Sequence, residues 1–185
     1  MEPININKVN QFIHKSISDQ DLEKYFTKAI QKKILVFGDL RKYNSIDEVL
    51  PKQKDFIILL IETAPNIGHW CCLTKNNGVV TWFDSYGMKP GSELRFVDED
   101  KRAQLNEDRN YLGELLRKTK YKVEYNDIAF QSDGDDVRDC GRYVILYLIL
   151  FNEKNFNLKQ FQNFMKNETK KLKLSYDQLV SYLIE

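Results

Sequence analysis

The sequence predicts an α+β fold in which helices pack around a small central mixed sheet. Residues 55–62 form a continuous apolar run rich in β-branched side chains, which is typical of a strand buried on both faces. Asn77-Gly78, the strongest short signal for a hairpin, separates two segments with strand character. The apolar run from Cys140 to about Phe151 predicts a buried helix.

The remaining elements follow from caps and periodicity. Ser18 with Asp21, and Ser175 with Gln178, have the spacing of a capping box, and each pair predicts the start of a helix. Residues 88–106 predict an irregular surface excursion. Apolar periodicity predicts the other elements: strands at 34–37, 69–74, 79–84 and 121–125, and helices at 108–118, 158–169 and 175–184.

Size and composition indicate one soluble domain. The chain has 185 residues, of which 42% are hydrophobic and 30% charged, as in ordinary globular proteins. We expect a core over about residues 55–151, with helical parts at 1–50 and 152–185 packed on it. The formal charge of +1 predicts no general attraction to nucleic acid or membrane.

The cysteines indicate a reducing compartment. There are three, and two of them, Cys71 and Cys72, are adjacent, which disfavours a disulfide framework. Neighbouring side chains on a strand point to opposite faces, so this pair is poorly placed to share an ion. We therefore predict packing roles for both, no metal and no cofactor. The first residues carry no apolar signal segment and the apolar runs are too short to span a bilayer, so an intracellular location is expected.

Cys140 is the candidate nucleophile. A free cysteine is most often a small buried hydrophobe. Here, however, the thiol stands where a helix begins, and the unpaired N–H groups and partial positive charge of a helix N-terminus favour the thiolate. Gly141 leaves room beside the thiol for a substrate carbonyl, and Asp139 is placed to cap the helix.

His69 and Asp84 are the candidate base and its partner. They lie fifteen residues apart, at the start and the end of the predicted hairpin, so the two side chains should be neighbours. A carboxylate in that position would orient the imidazole through one ring N–H. The plainer alternatives are a structural histidine and an aspartate that only forms a turn. The second histidine, His14, lies in a polar segment and is expected at the surface.

Gln131 is the candidate oxyanion donor. Most glutamines are solvated, so residue type alone says little. Its position is more informative, because it ends the short apolar stretch Ile128-Ala129-Phe130 and opens the loop that leads to Cys140. Its amide could act together with the backbone N–H of Cys140 to bind an oxyanion.

These residues resemble the adenovirus proteinase and SUMO-protease superfamily of cysteine proteases (clan CE). The matching positions are His69 followed by Trp70, Asp84, Gln131, and Cys140 followed by Gly141. The resemblance covers about residues 55–151 and implies a papain-like α+β core in permuted, adenain-like order. It also implies catalytic roles for His69, Asp84, Gln131 and Cys140, and we expect Trp70 and Gly141 to contact the substrate. One departure is the spacing of nine residues between Gln131 and Cys140, which is longer than usual in the family.

By this resemblance, the chain is most like capsid-maturation proteases of virophages and related DNA viruses. A thiol endopeptidase that cleaves capsid precursor proteins in the host cytoplasm, the viral factory or the virion is therefore expected. An isopeptidase for ubiquitin-like modifiers is the first alternative, and an acyltransferase of the bacterial-effector type is a weaker one. A non-enzymatic binding protein with an inert cysteine would need four coincidences in the right order.

Two charged segments could contact other molecules. The acidic loop 132–138 could select basic residues in a substrate. Near the C-terminus lysines accumulate almost without acids, which most often makes a solvated helix face but could also bind DNA or an activating peptide. These lysines are Lys159, Lys166, Lys170, Lys171 and Lys173.

Overall fold

The computed structural model describes residues 3–134 and 136–185, and it confirms the α+β class and the mixed central sheet. The sheet has five strands in the order β1-β2-β3-β4-β5, with β1 parallel to β2 and β5 parallel to β4. The two inner pairs, β2–β3 and β3–β4, are antiparallel. The strands are β1 (Ile34–Val36), β2 (Asp55–Ala64), β3 (Ile67–Asn76), β4 (Val79–Phe83) and β5 (Lys122–Tyr125).

The predicted hairpin joins β3 to β4. Asn77 and Gly78 both have positive φ, 50° and 75°, as the two central residues of a type I′ turn require. Asn76 therefore pairs with Val79, and this register brings the start of β3 beside the end of β4. The turn sequence thus places the region of His69 next to that of Asp84.

The helices agree with the predicted elements near the C-terminus and differ near the N-terminus. They are α1 (Ile6–Ile13), α2 (Asp19–Tyr25), α3 (Ile46–Val49), α4 (Glu99–Gln104), α5 (Tyr111–Lys118), α6 (Cys140–Lys154), α7 (Leu158–Leu172) and α8 (Tyr176–Leu183). The predicted capping boxes at Ser18 and Ser175 are both formed. Helices α1 and α3, of eight and four residues, had no sequence prediction.

Several boundaries differ for local reasons. Helix α5 begins at Tyr111 rather than at residue 108, because the Asn110 side chain accepts a hydrogen bond from the N–H of Gly113 and so caps the helix there. Helix α6 continues to Lys154 and ends where Asn155 adopts a left-handed conformation, with φ 54°. Residues 88–106 contain a 3₁₀ turn at Ser92–Phe96 and helix α4, so this stretch is more ordered than predicted.

The sheet separates two apolar cores. Helices α6, α7 and α8 cover one face, where Phe83 stacks on Tyr147 with ring centroids 4.4 Å apart. Helix α5 and the 3₁₀ turn Phe37–Lys42 cover the other face. Cys72 belongs to the first core and Cys71 to the second, so the two thiols lie on opposite faces as predicted.

Helix α6 has apolar side chains on all sides, because it lies between the sheet and the other helices. Its buried Arg142 donates hydrogen bonds to the carbonyls of Lys15 and Ile184, which ties both ends of the chain to this helix. Within the described ranges 3–134 and 136–185, no helix combines the length and hydropathy needed to cross a bilayer.

Candidate active site

The hairpin pairs His69 with Asp84. Nε2 of His69 lies 2.6 Å from Oδ1 of Asp84, and the aspartate side chain is fully buried. The backbone N–H of Tyr86 donates to Oδ1 and that of Met88 to Oδ2, at 3.1 and 3.2 Å. Because these donors fix the carboxylate, the imidazole has one preferred orientation.

Cys140 is the first residue of α6 and hydrogen-bonds to His69. Since Nε2 faces Asp84, the other ring nitrogen, Nδ1, is left for the thiol. The backbone N–H groups of Trp70 and Gly141 also donate to the Cys140 sulfur. The thiol, the imidazole and the carboxylate therefore form one hydrogen-bonded series.

This environment favours the charged forms of both Cys140 and His69. Burial raises the pKa of the thiol, but the hydrogen bond and charge of His69 outweigh it, so the pKa of Cys140 lies below its usual value. Burial lowers the pKa of His69, but the charge of Cys71 and the hydrogen bonds of Asp84 and Cys140 raise it well above the usual value. A thiolate–imidazolium pair is the expected resting form.

Gln131 lines the same cleft as His69 and Cys140, and it is 4% exposed. The hydroxyl of Ser85 donates to Oε1 of Gln131 at 2.7 Å, and the backbone N–H of Gln131 donates to the Ser85 carbonyl at 3.1 Å. With Oε1 occupied, the Nε2 donors of the amide are left to face the cleft. The longer spacing to Cys140 therefore does not remove Gln131 from the site.

Sequence reasoning missed Ser85, Tyr86 and Cys71. Ser85 orients Gln131, and Tyr86 packs over His69 with ring centroids 5.0 Å apart. Cys71 lies in the core as predicted, but its side chain also hydrogen-bonds to His69. The available signals were adjacency to Asp84 for the first two, and the two-residue period of strands for the third, since Cys71 shares a face with His69.

Trp70 and Gly141 lie side by side, with different exposures to the cleft. Trp70 lines it, and its indole N–H donates to the Ile17 carbonyl at 2.9 Å. Gly141 is buried, and a Cβ there would lie 2.7 Å from Cβ of Ile17 and 3.2 Å from Cδ1 of Trp70. The space beside Gly141 is thus filled by Ile17 and Trp70, which corrects the expectation of an open approach for substrate.

Two other expectations near α6 are decided by the structure. Asp139 occupies the N-cap position, but its side chain makes no capping hydrogen bond, so the predicted cap is wrong. His14 lies at the surface as predicted, with a side chain that is 51% exposed and an Nδ1 atom 3.0 Å from the Asp136 carbonyl oxygen.

The acidic loop borders the cleft. Asp133 lines it, whereas Asp136 pairs with His14. Asp135, part of the predicted acidic selector, lies outside the described residues. Among the described residues of the loop 132–138, Asp133 is therefore the acidic residue that could select basic residues in a substrate.

The cleft itself has a volume of about 1150 Å³ and runs past His69 and Cys140. The apolar side chains that line it are Ile34, Val36, Leu60, Ile61, Ile67 and Val97. Ser16–Asp19, Asp133 and Arg138 also line it. A cleft of this size and mixed lining suits a peptide segment better than a compact small molecule.

One group of side chains has the composition of a metal site. A ligand atom of each of His69, Cys71 and Asp84 lies within 4.8 Å of the others. Both Asp84 oxygens are already engaged, however, by His69 and by backbone N–H groups. A cation would have to break the His69–Asp84 hydrogen bond, so these residues do not fit a resident metal.

The five C-terminal lysines are all exposed, on α7 or directly after it. Lys171 pairs with Glu168 at 3.3 Å. Their charge is available at the surface, away from the residues that line the cleft.

A thiol, an imidazole and a carboxylate in hydrogen-bonded series, at the mouth of a cleft, form the arrangement of a cysteine hydrolase. The chain belongs to the family of the uncharacterized protein V9 of Sputnik virophage. The two are 34% identical over 151 residues, which are 81% of this chain and 84% of V9. No family model matches the chain.

Two proteases are among the solved structures that the structure of this chain resembles. The C-terminal protease domain of Ulp1, in complex with the yeast ortholog of SUMO, is 16% identical, with a TM-score of 0.42. The alignment covers 98% of this chain and 82% of that domain. The ASFV pS273R protease is 14% identical with a TM-score of 0.46, over 99% of this chain and 71% of that protein.

Proposed function

We propose that this chain is a thiol endopeptidase with Cys140 as nucleophile, His69 as general base and acid, and Asp84 as the group that orients His69. The observation that carries the proposal is the hydrogen-bonded series from Cys140 through His69 to the buried Asp84, at the start of a helix and the mouth of a cleft. We also propose that residues 1–185 act as one domain.

The first half of the reaction forms an acyl-enzyme. Nδ1 of His69 holds the proton of Cys140, and the thiolate attacks the carbonyl carbon of the scissile peptide, so that a C–S bond forms and negative charge moves to the carbonyl oxygen. When this intermediate collapses, the C–N bond breaks and His69 donates its proton to the leaving amine. Asp84 stabilises the imidazolium throughout.

The second half releases the new carboxyl group. Water attacks the thioester while His69 accepts its proton, and the C–S bond breaks to return the Cys140 thiolate. In both halves the oxyanion needs donors. The amide of Gln131 and the backbone N–H of Cys140 are the groups that we assign to it, because the first N–H groups of a helix lack helical partners.

Replacing Gln131 by alanine should lower kcat by about 10²–10³-fold with little change in KM, because the lost donor acts on charge that develops in the transition state. Ser85→Ala should give a smaller loss, since the amide remains but is free to turn. Steady-state kinetics on a peptide substrate would measure both, with the exposed Gln104→Ala as the matched control. Full activity in Gln131→Ala would remove this residue from the oxyanion site.

The proposed substrates are capsid precursor proteins of a virus, processed in the host cytoplasm, the viral factory or the virion. Two observations support this choice: the chain is a relative of a virophage protein, and its cleft of about 1150 Å³ is large enough to hold a peptide segment. Deconjugation of a ubiquitin-like modifier uses the same chemistry and is the alternative. We also propose that the lysines on α7 and directly after it can hold the enzyme on DNA, because all five are exposed.

A panel of substrates would test this function. Purified enzyme would be incubated with virophage capsid precursors and with a SUMO or ubiquitin conjugate, each with and without duplex DNA, and the products mapped by mass spectrometry. We expect cleavage within capsid precursors, and salt-sensitive stimulation by DNA. Cleavage of the conjugates alone would support the alternative, and cleavage of neither would contradict peptidase function. An unchanged rate with DNA would leave the lysines as a solvated face.

A further inference from the structure

Asp139, the residue before Cys140, is fully buried, and neither oxygen of its carboxyl group finds a hydrogen-bond partner among the polar groups of the described residues. An ionised carboxylate in such a place would be strongly destabilising. Its neighbour Arg142 makes no hydrogen bond to either oxygen, and its guanidinium donates instead to the carbonyls of Lys15 and Ile184. A proton on Asp139 would remove both the charge and the unpaired oxygen.

The group that faces Asp139 is another carboxyl group, that of Asp177 in the first turn of α8. Asp177 already accepts three hydrogen bonds: from the N–H and the hydroxyl of Ser132, at 3.3 and 2.6 Å, and from the hydroxyl of Tyr143, at 2.8 Å. Because Asp177 already accepts from three donors and the Asp139 oxygens have no partner, we place a proton on Asp139, which can donate it to Asp177.

The same Asp177 holds the loop that carries Gln131. Ser132 directly follows Gln131, and the hydroxyl of Tyr143, which shares its one proton between two acceptors, also lies 3.1 Å from the carbonyl oxygen of Phe130, which precedes Gln131. Both neighbours of Gln131 are thus attached to the Asp177–Tyr143 pair. Asp139, in turn, is covalently joined to Cys140.

We propose that Asp139 is a positioning residue. As a neutral acid it donates a hydrogen bond to Asp177 and so holds Gln131 at a fixed position relative to Cys140. The inference rests on the proposed function, because it assigns Gln131 to the oxyanion. It also assigns to the buried Asp139 a role other than capping α6.

Alkaline pH should disturb the hydrogen bond between Asp139 and Asp177. Burial and the charge of Asp177 raise the pKa of Asp139 to about 8. Above that pH two adjacent buried carboxylates repel each other, Ser132 and Gln131 lose their fixed position, and kcat should fall. The other groups that act on this pair are Cys140, Arg142 and Tyr143 of α6 and, more weakly, Tyr86 of the loop after β4.

The test compares the pH dependence of kcat in the wild type and in Asp139→Asn, whose amide can donate to Asp177 but cannot ionise. Wild-type kcat should fall with an apparent pKa of about 8. Asp139→Asn should be as active as wild type at neutral pH and keep that activity at higher pH. Alkylation of Cys140 by iodoacetamide needs no oxyanion donor, so its rate should not fall in either protein. The same alkaline fall in both proteins would assign it to His69 and overturn the proposal.

Thermal unfolding provides a readout that does not depend on catalysis. The pKa of Asp139 is raised from the usual 3.8 to about 8, so its contribution to stability is fully present below 3.8 and is lost as pH rises towards 8. The melting temperature of wild type should therefore decline over this range more than that of Asp139→Asn. Equal declines would overturn the proposal. A difference in melting without peptide turnover in any variant would instead reject the proposed function and retain the proton on Asp139.

Ser132→Ala tests the same connection if Asp139→Asn disturbs folding. Ser132 is exposed, so Ser132→Ala should fold normally. It weakens the connection between Asp177 and Gln131, and we expect lower kcat at neutral pH together with a shallower alkaline fall. Wild-type kinetics in Ser132→Ala at all pH values would contradict the proposed connection.

Discussion

Cys140→Ala is expected to abolish peptide hydrolysis, with a loss of more than about 10⁴-fold, while the protein remains folded. The thiol supplies the attacking atom, and the other two sulfurs are fully buried, so neither can reach a substrate. Cys71 is enclosed in the core beneath His69, and Cys72 lies on the opposite face of the sheet. A peptide assay together with circular dichroism would measure activity and fold in the same preparation.

Cys72→Ala is the matched control, because it removes a thiol that is buried on the face of β3 opposite Cys71 and should leave turnover intact. Iodoacetamide should label Cys140 of the wild type at pH values well below the ordinary thiol pKa of about 8.5, and His69→Ala should abolish this selectivity. Burial and the charge of Cys71 raise the pKa of Cys72 well above its usual value, so Cys72 should label slowly. Peptide turnover by Cys140→Ala would refute the nucleophile assignment.

Asp84→Asn is expected to lower kcat by about 10³–10⁴-fold. The carboxylate accepts hydrogen bonds from His69 and from the N–H groups of Tyr86 and Met88, and an amide has only one oxygen for these donors. If the amide nitrogen faces Nε2 of His69, it forces the ring proton onto Nδ1, and the imidazole can then no longer take the proton of Cys140.

The loss of the Asp84 carboxylate should also change the pH dependence of Cys140 alkylation. In Asp84→Asn the alkylation of Cys140 should require higher pH than in wild type, because the imidazolium has lost its stabilising charge. Asp100→Asn, an exposed aspartate on α4, is the control for the change of one charge and should behave as wild type. If Asp84→Asn kept full turnover and its Cys140 were alkylated with the same pH dependence as in wild type, Asp84 would serve only to form a turn.

Local signals were sufficient to predict the His69–Asp84 neighbourhood. Asn77-Gly78 specifies a tight turn, the turn fixes the register, and the register brings the two ends of the hairpin together whatever else the chain does. The start of α6 at Cys140 was equally local, since an apolar run follows a polar loop. The structure of residues 88–106 was less predictable, because the apolar residues of this stretch follow no sustained period.

Contacts between distant segments were not predictable in this way. Nothing near Gln131 in the sequence indicates that Ser85 orients it, and nothing near Gly141 indicates that Ile17 fills the space beside it. The prediction that Asp139 caps α6 failed for the same reason. Its side chain is directed to Asp177 on α8, and that neighbour exists only once α6 and α8 have packed together.

The sequence by itself determined the order of the strands and helices and the identity of the chemical groups at the site, because periodicity, turns and caps act between near neighbours in the chain. The tertiary structure alone decided the charge and orientation of those groups. A protonated Asp139, a thiolate at Cys140 and an amide fixed by Ser85 each depend on burial and on partners brought from elsewhere in the chain. Desolvation and hydrogen bonding act through space, so they become defined when the chain is folded.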